Sequence, residues 1–171
     1  MLDPYRWLEA PSQERNQFIQ QQNNLTRSYL DSNSNRNKIK QEIKSLFNFS
    51  SYGLPLKAGS KYYYSYNPGL QNQPNIYSID SLWDKKAPKL FLDVNGMSSD
   101  GTTYLYFTSF SPDNQWCVYG IHETGGDWIV YKIKNMKTGQ HLNETLRKIK
   151  FNSPVWAMDN KGFFYSVISI I

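Results

Sequence analysis

Ser111-Pro112-Asp113-Asn114-Gln115-Trp116-Cys117-Val118-Tyr119 recurs loosely as Ala157-Met158-Asp159-Asn160-Lys161-Gly162-Phe163-Phe164-Tyr165, with 46 positions between Asp113 and Asp159. In each copy a short polar turn, Asp-Asn, leads into an aromatic strand. A weaker echo, Lys57-Ala58-Gly59-Ser60-Lys61-Tyr62-Tyr63-Tyr64, places Tyr64 55 positions before Tyr119. Repeats of about 40–50 residues holding four strands each are the pattern of propeller blades. Two such units and a fragment cannot close a ring, so their faces and edge strands would stay open.

Around these repeats, short runs of strand-forming residues alternate with turn signals. Lys61-Tyr62-Tyr63-Tyr64-Ser65-Tyr66 is an aromatic strand, and Asn67-Pro68-Gly69 a turn. Asn75–Ile79, Lys89–Leu92, Tyr104–Thr108, Trp116–Ile121, Trp128–Ile133 and Gly162–Val167 continue the series. Blade boundaries are expected near residues 50, 100 and 150. Before residue 50 the period is helical instead. Ser12 is placed to cap a helix with Glu14 in its first turn. Phe18, Leu25 and Tyr29 recur at helical spacing, with Ile19 and Leu30 beside them. The polar run Asp31–Asn35 interrupts, and a second helix beginning near Ser34 bears the stripe Ile39, Ile43, Leu46 and Phe47. The fold class expected is therefore helical first and then all-β, divided into residues 1–50 and 51–171.

Bulk composition narrows the partners. The chain has 171 residues and a formal charge of +5. Residues 1–50 contain seven basic and five acidic side chains, so the excess is spread along the chain. A phosphate-binding surface gathers its Lys and Arg on one face, and no nucleic-acid partner is expected. The single cysteine, Cys117, can form no internal disulfide, which fits a reducing compartment. It reads as a small buried apolar residue. No run approaches the ~18 apolar residues of a membrane span, and Met1-Leu2-Asp3-Pro4 does not begin a signal peptide. A cytoplasmic monomer without a membrane partner is expected.

The residue types needed for hydrolysis are not assembled in any recognisable pattern. No Gly-x-Ser-x-Gly elbow occurs. The two histidines, His122 and His141, both read as solvated loop residues rather than as a base held by a buried acid. One Cys and two His give no zinc-type spacing, so no metal is expected. Gly125-Gly126 lacks the Gly-Lys-Ser/Thr of a phosphate cradle, and no cofactor is expected. Lys132, Lys134 and Lys137 read as a solvated strand face.

Several motifs resemble one family in order. Asp3-Pro4-Tyr5-Arg6-Trp7-Leu8-Glu9 resembles the Asp-Pro-Tyr-x-Trp-Leu-Glu signature near the start of prolyl oligopeptidases. Tyr66-Asn67-Pro68-Gly69-Leu70-Gln71-Asn72-Gln73 is similar to their Tyr-Asn-x-Gly-Leu-Gln-Asn-Gln segment. Gly126-Asp127-Trp128 and Lys150-Phe151 also match family positions. The resemblance implies a serine endopeptidase that cleaves short peptides after proline. In that family an α/β-hydrolase domain carrying Ser, Asp and His is capped by a seven-bladed β-propeller that gates substrate access. Residues 1–50 would be the N-terminal helical segment of the peptidase domain, and 51–171 about the first two blades of an incomplete propeller.

The resemblance places no catalytic residue in this chain, which is expected to be a piece of a larger protein, inactive alone. It implies two substrate contacts. Phe151 is similar to a propeller phenylalanine lining the substrate pocket, and Asp127 to an acidic residue facing the active-site cavity. Asp127 would there pair with a substrate-holding arginine. A non-catalytic β-propeller interaction module, binding a partner strand at an exposed edge, is the alternative.

Overall fold

A computed structural model describes residues 3–83 and 85–169 and divides into two units, Met1–Phe47 and Asn48–Ile171. The first unit holds α1 (Gln13–Asp31) and α2 (Arg36–Leu46). Ser12 caps α1: its side chain accepts from the Arg15 N–H at 3.0 Å. Arg36 Nε lies 3.2 Å from the Asp31 carboxylate across the break. Neither helix has a buried residue, so the stripe Ile39, Ile43, Leu46 and Phe47 is exposed.

The second unit is built of antiparallel strands: β1 (Ser51–Tyr52), β2 (Leu56–Ala58), β3 (Lys61–Asn67), β4 (Asn75–Ile79), β5 (Lys89–Leu92), β6 (Tyr104–Phe110), β7 (Trp116–His122), β8 (Ile129–Asn135), β9 (His141–Ile149), β10 (Val155–Trp156) and β11 (Phe163–Phe164). They form three sheets. In the first, β1 and β2 pair in turn along β3, and β3 continues to β4 and β5. The second runs β6-β7-β8-β9, and the third is the β10–β11 pair.

The repeated segments fold into the same turn. In one copy the Asn114 N–H donates to Ser111 O (2.8 Å), the Gln115 N–H to Asp113 Oδ1 (3.1 Å) and the Ser111 N–H to Trp116 O (2.9 Å). In the other, Asn160 bonds Ala157 O (3.1 Å), Lys161 bonds Asp159 Oδ1 (3.0 Å) and Ala157 bonds Gly162 O (2.9 Å). Asn114 (φ 57°) and Asn160 (φ 60°) both take the left-handed conformation that Asn tolerates, and Gly59 (φ 61°) does so in the weaker echo. These turns lie side by side. A Cβ on Gly59 would come 3.3 Å from Asn114, and the Asn160 side chain accepts from the Asp113 N–H at 3.2 Å.

The middle sheet is covered on both faces. Tyr119, Ile121 and Val130 pack with Ala58, Tyr63, Ile76 and Leu92 of the first sheet. Val118, Ile129, Tyr131 and Ile149 pack on the other side, against Trp156 and Phe163 of the third. Successive residues of a strand point to opposite faces, so a strand buried on both reads as the continuous apolar run seen in β7. Each fully buried Val or Ile contributes about 1.5–3 kcal/mol. Gly120 is required at its place, because a Cβ there would overlap the Phe107 ring and stand 2.9 Å from Ile129 Cγ2.

The strand readings from sequence hold for β3 to β8 within about two residues, but Gly162–Val167 shortens to β11. β9, the longest strand, falls where no strand is expected. It is an outer strand with register shifts against β8 between Ile129 and Tyr131 and between Lys132 and Lys134, and Lys148 within it is left-handed (φ 64°). Bulges and charges of this kind are how exposed edges avoid further pairing.

Candidate functional site

Asp127 and Phe151 come together at one end of the middle sheet. Asp127 lies near the end of the loop between β7 and β8, and Phe151 follows β9. The pair Ile129↔Ile149 closes the sheet between them. Buried Ile149 anchors the end of β9 and leaves Lys150 and Phe151 at the rim.

The loop holding Asp127 is fixed from behind. His122 is buried at the end of β7, its ring stacked on Tyr104 (4.5 Å, 13°) and edge-on to Tyr106 (5.0 Å, 89°). Its Nδ1 lies 2.6 Å from Gly126 O. A carbonyl can only accept, so Nδ1 bears the proton. The Gly126 N–H in turn donates to Glu123 O at 3.2 Å, and Arg147 of β9 bonds the Glu123 carboxylate at 2.9 Å. His122 is therefore neither in a loop nor solvated as its sequence context suggests. It ties the turn that presents Asp127, a role that no local motif announces.

Lys150, the chain neighbour of Phe151, reaches back to the Asp127 loop. Its ammonium sits 4.5 Å from the centre of the Trp128 ring and 4.0 Å from Asp127 Oδ2. The Asp127 side chain remains 72% exposed, so this pair is weak and leaves the carboxylate free to meet a cationic partner. The Phe151 ring is 78% exposed and packs into no cluster. Its backbone is left-handed (φ 50°), which is costly for a bulky side chain. The conformation is held by Tyr131, whose hydroxyl donates to Asn152 O at 2.8 Å, and by a hydrogen bond from the Asn152 side chain to Ser166 Oγ.

The other candidates lie elsewhere. Cys117 is fully buried, with its thiol pushed up to about 12 by burial, and cannot act as a nucleophile. His141 opens β9 rather than a loop, 2.9 Å from the Tyr119 hydroxyl through Nδ1. Lys134 is not on a solvated face: it donates to Phe91 O at 2.9 Å and lies 5.1 Å from the centre of that ring. Among the described residues no three His, Cys, Asp or Glu gather as a metal site, and no helix is long and apolar enough to cross a membrane.

The rim thus presents one exposed carboxylate, weakly paired with Lys150, beside one outstanding aromatic ring, and among the described residues it contains no activated nucleophile. The sequence profile of the family described as "Prolyl oligopeptidase, N-terminal beta-propeller domain" matches residues 1–169. The chain belongs to this family. The prolyl endopeptidases of Elizabethkingia meningoseptica and Elizabethkingia miricola are 36% and 35% identical to it over 165 residues, which are 96% of this chain and 23% of each relative. The prolyl oligopeptidase B of Galerina marginata, solved bound to a 25-residue macrocyclization substrate, superposes with a TM-score of 0.81 at 27% identity. That superposition covers 95% of this chain and 25% of the other. A structure from a study of two prolyl endopeptidases gives a TM-score of 0.84 at 26% identity, covering 96% of this chain and 24% of that one. The chain thus spans about a quarter of the length of the relatives it matches.

Proposed function

We propose that these residues are the N-terminal portion of a serine endopeptidase that cleaves short proline-containing peptides after proline. The single observation behind this reading is the family match over residues 1–169, supported by 36% identity to a prolyl endopeptidase. In it the first two sheets are the first two blades of a seven-bladed propeller, and β10–β11 begins a third. The helices α1 and α2 belong to the N-terminal segment of the peptidase domain, and the whole enzyme is a cytoplasmic monomer.

The propeller's part is to admit and hold the peptide, and catalysis falls to groups outside residues 1–171. Phe151 offers its ring to an apolar side chain of the peptide. Asp127, presented by the His122-tied turn, pairs with an arginine of the peptidase domain that holds the substrate. Interactions made equally in the ground and transition states lower KM without raising kcat. In the whole enzyme, Phe151→Ala should therefore raise KM for a proline peptide about tenfold while kcat changes little, the loss of one buried aromatic contact. Steady-state kinetics on full-length wild type and variant test this. An unchanged KM removes Phe151 from the substrate site, and a full-length protein with no proline-directed cleavage removes the peptidase reading.

A further inference from the structure

A second cleft, of about 640 Å³, opens between β5 of the first sheet and the β8–β9 pair of the second, and Phe91, Asp93, Tyr119, Lys132, Lys134 and His141 are among its walls. We propose that it binds a small oxyanion, a carboxylate or phosphate group, through Lys132, Lys134 and the Tyr119 hydroxyl, with His141 as the group that positions them. The inference rests on this cleft alone and is independent of the peptidase reading.

Hydrogen-bond logic leaves donors aimed at nothing else. Lys134 Nζ donates to Phe91 O at 2.9 Å and lies 3.5 Å from His141 Nε2. An ammonium can only donate, so Nε2 accepts and the imidazole proton stays on Nδ1. Nδ1 then donates to the Tyr119 oxygen at 2.9 Å, and the phenolic proton is left for a further acceptor. Burial pushes that phenol up to about 12, so it remains a donor throughout the neutral range. An ammonium has three N–H groups, and two are accounted for.

The local charge is positive and unpaired. Among the described residues neither Lys132 nor Lys134 has a carboxylate partner. The one acid in the cleft, Asp93, accepts from the Gly96 N–H at 3.1 Å. His141 is faced by Lys132 and Lys134 of β8, Tyr119 of β7 and Asp93 beyond β5, and burial and the two lysines hold it below its ordinary 6.5. An anion between the lysines offsets their field. Binding must then raise the His141 pKa, and by reciprocity it must tighten as pH falls through that value.

The chain has only two histidines, so its imidazole NMR spectrum holds two signal sets. His122, outside the cleft walls, is the internal control. The full chain is titrated with inorganic phosphate, with citrate, and with a short peptide bearing a free C-terminal carboxylate beside the same peptide amidated. The expected result is a saturable shift at His141 alone, a raised His141 midpoint, and affinity about tenfold lower in Lys134→Met and in Lys132→Gln. Binding of the acid peptide but not its amide names a peptide terminus as the source, and binding of phosphate or citrate alone names a free anion. Because Lys134→Met removes a bond to Phe91, the half-exposed Lys132→Gln serves as the second variant. The proposal is overturned if His141 moves no more than equal ionic strength of sodium chloride moves it, or if both lysine variants bind like wild type.

Discussion

The hydroxyl of Tyr131, in the middle of β8, donates a 2.8 Å hydrogen bond to the carbonyl of Asn152. Tyr131 is fully buried, its ring edge-on to Phe107 at 5.0 Å, so the bond fixes the segment after β9 to the buried interior of the middle sheet. The left-handed residue next to it, Phe151, is held in place from inside the core. Tyr131→Phe keeps the ring and removes the bond. It should lower stability by about 1 kcal/mol, with faster amide exchange at residues 150–152. Urea unfolding and hydrogen exchange measure both, and a variant with wild-type stability and exchange contradicts the tie.

Phe151 itself should contribute contact surface and no stability. Its ring is exposed, and its backbone conformation costs about 1–2 kcal/mol for a non-glycine residue. Glycine relieves that strain and adds roughly 0.5–1 kcal/mol of chain entropy on unfolding. Phe151→Gly should therefore melt at or above the wild-type temperature. A loss beyond about 1 kcal/mol would show that the ring packs, because large losses come from core contacts.

Alkaline pH should loosen the second unit within a definite window. The Cys117 thiol is pushed from 9.0 to about 12, chiefly by burial. Burial likewise pushes the Tyr119 and Tyr131 phenols from 10.0 to about 12. In each case the folded protein holds a proton that the unfolded chain releases, so stability is complete below pH 9 and is lost between pH 9 and about 12. Cys117→Ala removes the thiol and should move the onset from pH 9 to pH 10, the ordinary value of the tyrosines. Urea midpoints measured across this range test it, and a flat profile up to pH 12 contradicts the burial of these groups.

The strands most legible in the sequence are those with a marked composition. β3 shows itself by its tyrosines, and β7 and β8 by apolar runs, because both faces of the middle sheet are covered. The repeated Asp-Asn turn is legible because Asn114 and Asn160 occupy positions where few other residues are relaxed. β9 is not legible: His141–Ile149 is polar, buries only Ile149 and has register shifts, so neither alternation nor a breaker marks it.

The candidate site is legible only by resemblance. Nothing local to Asp127 announces that His122 ties its loop, since that depends on Tyr104 and Tyr106 arriving from β6. Nor does the sequence after β9 reveal that Lys150 reaches back over Trp128 to Asp127. Both relations are created by strand pairing, and both residues look like surface positions until the register is known.

We propose that these 171 residues contribute substrate contacts to a peptidase whose catalytic groups lie elsewhere. Acyl transfer needs an activated nucleophile, a base and oxyanion donors in one place. Cys117 is sealed in β7, His122 is locked against Gly126, and His141 is engaged by Tyr119. The most direct measurement is hydrolysis of a fluorogenic peptide with proline before the reporter, by the homogeneous 171-residue chain. No turnover above buffer is expected. Turnover that persists through removal of contaminating peptidases, and vanishes on His122→Ala or His141→Ala, would contradict it.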